Sequence, residues 1–166
     1  MDEFGDKSQK FFPIHASDID TEMIKTAKSG FIPCNKADFR RIKSNLSVDT
    51  MEKFEIIDMG MFADIRYRQV FRASDELKSK VTFKNADIAE EIKDVNAQNS
   101  LVFCRNFWPY LGREKTTKVL SELLQKLDNS SLIVIGEFDR TVDYVIPLFE
   151  KYGFQEISTN IFKKVD

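Results

Sequence analysis

The sequence predicts an α/β fold in which a parallel-rich sheet has helices on both faces. Short apolar runs that are typical of buried strands alternate with segments of helical periodicity, and this alternation is typical of parallel sheets. The predicted parallel strands are residues 11–17, 81–84, 100–104 and 132–135. Two further strand patterns close the chain at residues 154–158 and 161–165, which predicts a terminal β-hairpin.

The predicted helices begin and end at residues that suit helix termini. Apolar side chains recur at helical spacing in residues 22–28, 88–95, 113–127 and 141–152. Asp20 or Thr21 can cap the first of these helices, and Gly30 ends it. Pro147 lacks the backbone N–H that a helix interior needs, so the last helix must kink or restart there.

We predict one domain over residues 1–166, with residues 31–80 inserted as a small flap or helical subdomain. The pattern within the insertion is less regular than in the rest of the chain. It predicts helices at residues 37–46 and 48–57, a strand at residues 61–72 and a short polar helix or turn at residues 75–80. Ser47 precedes the second of these helices and can cap it.

Composition excludes several classes of function. The formal net charge of −2 gives no bulk attraction for nucleic acid or for an anionic membrane. One histidine and two cysteines do not supply the ligands of a typical zinc site, so no metal is expected. The polar N-terminus does not resemble a signal peptide, and no apolar run is long enough to span a membrane. We therefore expect a cytoplasmic protein in which Cys34 and Cys104 form no disulfide.

Polar side chains follow the predicted parallel strands directly, at the positions where sheets of this kind bind ligands. Asp18 and Asp20 follow the first strand, and a carboxylate suits a ribose because it accepts hydrogen bonds from two neighbouring hydroxyls. The alternative is that both carboxylates cap the following helix. Asn85 follows the second strand, where its amide either reads the edge of an adenine or shapes a turn.

Arg105 and Asn106 follow the third strand. An arginine that leaves a buried strand needs a carboxylate, a ligand or solvent around its charge, so a structural ion pair and a binding role are both open. The aromatic stretch at residues 107–110 either forms the floor of an apolar pocket, with the Tyr110 hydroxyl as its polar group, or packs in the core.

These segments resemble, in order along the chain, three motifs of the CheR-type methyltransferases, which methylate glutamate side chains of chemotaxis receptors. Phe103-Cys-Arg-Asn106 followed by Tyr110 is similar to the family's FCRN-x-x-x-Y stretch. Ile14-His-Ala-Ser-Asp-Ile-Asp-Thr21 resembles its second strand and the acidic turn that follows. Val81-Thr-Phe-Lys-Asn-Ala86 is similar to a third segment, with alanine in place of the usual leucine. The matches cover roughly residues 10–136.

The resemblance implies a Rossmann-like class I methyltransferase fold with S-adenosyl-L-methionine as the cofactor. Asp18 would bind the ribose hydroxyls, and Asn85 would lie against the adenine and amino-acid side of the cofactor. Arg105 and Tyr110 would be the catalytic residues beside the sulfonium and the incoming carboxylate, with Asn106 next to the cofactor. The implied partner is a chemoreceptor-like protein. We expect these side chains to converge at one end of the sheet.

The chain also departs from the family pattern. The family's first strand with its Gly-rich turn, and its N-terminal helical domain, have no counterpart here. Gly136-Glu-Phe-Asp139 stands where the family has G-H-S/T-E. We therefore expect an incomplete fold with an exposed central sheet edge, in a fragment or degenerate form that binds S-adenosyl-L-methionine weakly. The alternatives are a non-catalytic protein-binding module on a decayed methyltransferase scaffold and a methyltransferase for a small molecule.

Overall fold

The structure, a computed structural model, describes residues 12–34, 36–58 and 69–165. The chain divides into two compact units, residues 1–86 and residues 87–166. The described elements of the first unit are β1 (Ile14–Asp18), α1 (Thr21–Ser29), β2 (Phe31–Cys34), α2 (Lys36–Asn45), α3 (Val48–Met51), β3 (Phe54–Asp58), β4 (Gln69–Ala73), α4 (Asp75–Ser79) and β5 (Val81–Asn85). Those of the second unit are α5 (Ile88–Glu91), β6 (Leu101–Cys104), α6 (Trp108–Leu111), α7 (Arg113–Lys126), β7 (Leu132–Ile135), α8 (Glu137–Arg140), α9 (Val145–Lys151), β8 (Phe154–Ser158) and β9 (Ile161–Lys164). The single domain with an insertion at residues 31–80 stays a prediction.

In the first unit β1 and β5 form a two-stranded parallel sheet. Their register places Ile14 opposite Val81 and Asp18 opposite Asn85, so the carboxyl ends of the two strands lie side by side. The helix after β1 begins as the sequence predicts, because the Asp20 carboxylate accepts hydrogen bonds from the first backbone N–H groups of α1. It ends at Gly30, whose φ of +74° is costly for other residues.

The first unit also contains a three-stranded antiparallel sheet in the order β2-β4-β3. Its central strand buries Phe71, whose ring packs edge-on against Phe54 at a centroid distance of 6.0 Å. The strand predicted at residues 61–72 is found here as β4, although residues 59–68 lie outside the described residues. The helix predicted at residues 48–57 is wrong beyond Met51, because the following residues pair with β4 as β3.

The second unit has a four-stranded sheet in the order β6-β7-β9-β8. The first two strands are parallel, with Leu101 opposite Leu132 and Cys104 opposite Ile135. The hairpin predicted at the C-terminus is present, since β8 and β9 are antiparallel and β9 also pairs antiparallel with β7. Asn160 lies in its turn with a φ of +63°, a conformation that asparagine tolerates.

The pairing differs from the single parallel-rich sheet that the sequence predicts. Among the described residues, β1 has a ladder partner on one side only, and the same holds for β6. The four predicted parallel strands therefore form two parallel pairs in separate sheets. The remaining described pairings are antiparallel, because the inserted segment and the terminal hairpin both contribute antiparallel strands. Of the described sheets, β1-β5 is parallel, β2-β4-β3 is antiparallel, and β6-β7-β9-β8 is mixed.

The core of the second unit lies on one face of its sheet. Cys104, Ile133 and Ile135 point into a cluster that includes the apolar stripe of α7, namely Val119, Leu120, Leu123 and Leu124. On the opposite face of β6, Leu101 is 44% exposed and Phe103 is 65% exposed. In the part of the second unit that the structure describes, helices therefore cover one face of β6, whereas the sequence predicts helices on both faces.

Helix α9 occupies the second part of the segment at residues 141–152, in which the sequence predicts one helix with a kink or restart at Pro147. The structure shows neither a kink nor a restart, because the helix begins only at Val145 and Pro147 is its third residue. In the first turn of a helix the backbone N–H groups have no partner within the helix, so the missing donor of proline is tolerated there. The sequence does not predict the single-turn helices α6 and α8, because four residues are too few to show helical periodicity.

Phe149→Ala should lower the free energy of unfolding by about 3–5 kcal/mol, because a buried aromatic ring is removed and a cavity remains. Phe149 is fully buried and packs against Phe154 and Phe162 at centroid distances of 5.9 and 4.4 Å. Urea unfolding measures the change. The matched control is Ile157→Ala in β8, an exposed position where a change below roughly 0.5 kcal/mol is expected. Equal effects of the two substitutions would contradict the core described above.

Candidate functional site

Asp18 and Asn85 lie next to each other at the carboxyl end of the first unit's parallel sheet. Asn85 Nδ2 donates hydrogen bonds to the backbone oxygens of Asp18 at 3.1 Å and Ile19 at 2.9 Å. The Asp18 carboxylate accepts the backbone N–H of Asp20 at 2.8 Å, and both Asp18 and Asn85 are exposed. Of the two predicted carboxylates, Asp20 caps the helix, while Asp18 shapes the turn and keeps its carboxylate at the surface.

Arg105, Asn106 and Tyr110 lie in the second unit, on the loop after β6 and on α6. Asn106 has a φ of +58°, in the left-handed region that few residues other than glycine occupy. Its side chain lies over Gly136, where a methyl group added to the glycine would come within 1.8 Å of Asn106 Oδ1 and 2.9 Å of its backbone nitrogen. The glycine after β7 is therefore needed for the close approach of this loop.

A buried carboxylate holds the two loops together. Asp139 Oδ2 accepts the backbone N–H groups of Asn106 at 2.6 Å and Gly136 at 2.7 Å. Asp139 Oδ1 accepts those of Phe107 at 3.0 Å and Trp108 at 3.2 Å. Burying an unpaired ion costs several kcal/mol, and each hydrogen bond to a charged group contributes about 1.5–3 kcal/mol. The backbone donors therefore offset the burial of this carboxylate.

The aromatic stretch of α6 divides between core and surface. Trp108 is fully buried, and its indole N–H has no acceptor among the described residues. Tyr110 is 78% exposed and its ring lies 6.2 Å from the ring of Phe138 in α8. Core packing is therefore confirmed for Trp108, whereas the floor of an apolar pocket with the Tyr110 hydroxyl as its polar group stays a prediction.

Arg105 differs from the other cations around this loop. Arg113 forms an ion pair with Asp143 at 2.8 Å, and Lys115 forms one with Asp87 at 2.9 Å. Arg105 is exposed and has no carboxylate partner in the described part of the chain. The structural ion pair that was one alternative for this residue is absent there, which leaves the guanidinium open to an anionic ligand.

The strand that leads to this loop ends in a thiol whose environment suppresses ionisation. Burial raises the pKa of the Cys104 thiol from its ordinary value of 9.0 to about 12, and the negative charge of Asp139 adds to the effect. Burial also raises the pKa of Cys34. Both cysteines are free. A protonated, buried thiol is a poor nucleophile, so Cys104 acts here as an apolar side chain.

The described residues contain no group of three or more His, Cys, Asp or Glu side chains that could hold a metal ion. Within the same residues, no helix combines the length and the apolar character that crossing a membrane requires.

Comparison with models of known protein families identifies the family of this chain. The family model described as CheR methyltransferase, SAM binding domain, matches residues 1–153. The chain belongs to this family. Its cofactor is accordingly S-adenosyl-L-methionine, and the resemblance carried by the three sequence motifs is confirmed. No curated protein sequence matches the chain.

The structure brings the predicted residues of this CheR-family chain together in two groups, each within its own unit. Asp18 and Asn85 form the first, and Arg105, Asn106 and Tyr110 form the second. Sequence reasoning missed Asp139, which is hydrogen-bonded to residues more than thirty positions away. The available signal was an acidic residue three positions after Gly136, where a short helix begins.

Gly136→Ala should displace Asn106, because the new methyl group occupies the space of the Asn106 side chain and approaches its backbone nitrogen. We expect large changes in the amide resonances of Asn106 and its neighbours in ¹H–¹⁵N spectra. Gly112→Ala is the matched control, since a methyl group there meets no atom within 4 Å although the φ of +73° adds local strain. An unchanged Asn106 resonance in the Gly136 variant would refute the close approach.

The Cys104 thiol should make stability depend on pH in the alkaline range. Its pKa is raised on folding, so its contribution is fully present below pH 9.0 and is lost as the pH rises towards about 12. We expect the difference in unfolding free energy between the wild type and Cys104→Val to be constant up to about pH 9 and to shift against the wild type above it. Chemical denaturation at each pH measures this, and a constant difference up to about pH 11 would contradict a buried thiol.

Proposed function

We propose that this chain transfers the methyl group of S-adenosyl-L-methionine to a side-chain carboxylate of a protein, a glutamate. The observation that carries the proposal is Arg105, an exposed guanidinium directly after a parallel strand, with no carboxylate partner among the described residues. A guanidinium binds a carboxylate through two parallel hydrogen bonds and stays charged at any working pH. The loop that presents it is fixed by the hydrogen bonds of Asp139.

Residues at the strand ends are the proposed contacts of the cofactor. In this proposal Asp18 accepts hydrogen bonds from the ribose hydroxyls, because its carboxylate is exposed beside Asn85 at the carboxyl end of the sheet. Asn85 fixes the turn that carries Asp18 through its bonds to two backbone oxygens. Its remaining amide oxygen is the group offered to the adenine and amino-acid side of the cofactor. Asn106, in the same loop as Arg105, is a further proposed contact of the cofactor.

The reaction requires little acid–base catalysis by the protein. The cofactor supplies a methyl group bound to a positively charged sulfur. A carboxylate is already ionised at neutral pH, so no proton has to be removed from the acceptor. The protein's task is to hold the acceptor in line and to exclude water. Arg105 orients the carboxylate, and the exposed Tyr110 hydroxyl offers it one further hydrogen bond.

The proposed partner is a chemoreceptor-like protein, in keeping with the three motifs that resemble the glutamate methyltransferases of chemotaxis. A second candidate function, a non-catalytic protein-binding module, is favoured by β6. That strand has an open edge among the described residues and exposes the apolar side chains of Leu101 and Phe103. Exposed strand edges can pair with an extended peptide. Methyl transfer to a bound protein separates the two functions, because the module would bind the protein without modifying it.

Transfer of labelled methyl groups from S-adenosyl-L-methionine to a chemoreceptor fragment should give a base-labile product, because carboxylate methyl esters hydrolyse to methanol. Arg105→Lys should lower kcat/KM roughly 10–100-fold, since a lysine cannot make the bidentate contact. The matched control is Arg41→Lys, an exposed arginine of α2 that should leave the rate unchanged. A base-stable label, or equal rates for both variants, would contradict a glutamate acceptor held by Arg105.

A further inference from the structure

The loop after β6 does not itself supply hydrogen-bond acceptors for three of its backbone N–H groups. Asn106 is in the left-handed conformation, and Phe107, the N-cap residue of α6, has an apolar side chain that cannot accept a hydrogen bond. Three successive backbone N–H groups, those of Asn106, Phe107 and Trp108, therefore need an acceptor from elsewhere in the fold. Asp139 in α8 is that acceptor, and it binds all three.

Asp139 also ties this loop to the next strand. Its Oδ2 accepts the Gly136 N–H at 2.7 Å, so one carboxylate spans the ends of β6 and β7. Both of its oxygens are used, the side chain is fully buried, and every hydrogen bond to it in the described residues comes from the backbone. Its neighbour Phe138 lies on the outer side of α8 against Tyr110.

We infer that Asp139 is a positioning residue that sets the placement of Arg105, Asn106 and Tyr110 for methyl transfer. The inference rests on the proposed function. The first backbone N–H that Asp139 binds in this loop is that of Asn106, and Arg105 is the residue before it. The last is that of Trp108, where α6, the helix that carries Tyr110, begins. When these hydrogen bonds to Asp139 are lost, the backbone of Asn106 leaves its left-handed conformation, and the side chains on both sides of it move. Displacements of about 1 Å in a positioning group can lower rates by ~100-fold.

The test compares Asp139→Asn with the wild type. Asparagine has nearly the same shape, but it turns an NH₂ donor towards two of the N–H donors, so half of the clamp becomes repulsive. We expect kcat/KM for the protein acceptor to fall roughly 10–100-fold, largely through kcat, and S-adenosylhomocysteine to bind more weakly by calorimetry. The emission of Trp108, the chain's single tryptophan, should shift because its backbone N–H is bound by the carboxylate that is replaced.

Two variants separate positioning from mere stability. Asp139→Glu keeps the charge and both acceptor oxygens, and it should recover about tenfold of the lost rate. Asp128→Asn is the matched control at the other end of the same two strands. Asp128 accepts the Asn99 N–H before β6 and the Ser131 hydroxyl before β7, and these and the Ser130 hydrogen bonds hold its pKa below the usual range. Its substitution should reduce the melting temperature without changing kcat or the Trp108 emission.

Each outcome decides between the inference and the function on which it rests. If the wild type transfers methyl groups and Asp139→Asn loses no more activity than Asp128→Asn, the positioning role is overturned while the proposed function stands. If Asp139→Asn lowers kcat but Asp139→Glu recovers none of the loss, the positioning role of a negative charge at residue 139 is also overturned. A wild type that binds no S-adenosylhomocysteine and methylates no carboxylate would contradict the proposed function, and the positioning role with it.

Discussion

The arrangement of the second unit depends on backbone N–H groups that converge on the Asp139 carboxylate. Three of them belong to the segment after β6 and one to the residue after β7, so a single side chain fixes how two neighbouring parallel strands end. The same anion faces the buried thiol of Cys104 and helps to keep its pKa high. A buried charge held only by backbone dipoles is sensitive to small changes in the positions of those dipoles. Rigidity at this end of the sheet and the placement of Arg105 are therefore two results of one interaction.

The parallel register explains why polar residues at strand ends form groups. In the first unit the register places Asp18 beside Asn85, and in the second it places the loop after β6 beside Gly136. In both cases the strands bring together residues that lie far apart in sequence, Asp18 and Asn85 in the first unit and Asn106 and Gly136 in the second. The antiparallel parts of the fold do not produce this effect, because the carboxyl ends of neighbouring antiparallel strands lie at opposite ends of the sheet. Topology as much as residue type therefore decides which polar side chains lie together at the strand ends.

Much of the fold could be predicted because long elements carry their own signal. The apolar stripe of α7, the caps of α1 and the terminal hairpin all follow from local spacing. The errors fall where tertiary contacts decide: local spacing predicts helix where β3 lies, Pro33 at a sheet edge obscures β2, and the single turns α6 and α8 have no period. The candidate residues were identifiable from their positions after apolar runs, but the residue that organises them was not. Asp139 acts across more than thirty positions of sequence, and one acidic residue in a short segment does not reveal such a contact.

The proposed cofactor site is the carboxyl end of the first unit's parallel sheet, where Asp18 and Asn85 lie. It is tested most directly by titrating the ¹⁵N-labelled chain with S-adenosylhomocysteine and following its backbone amides. The amides of Asp18 and Asn85 should shift together along one saturation curve. Shifts confined to the opposite end of the second unit's sheet, around Gln98, Asp128 and Ser130, would contradict it.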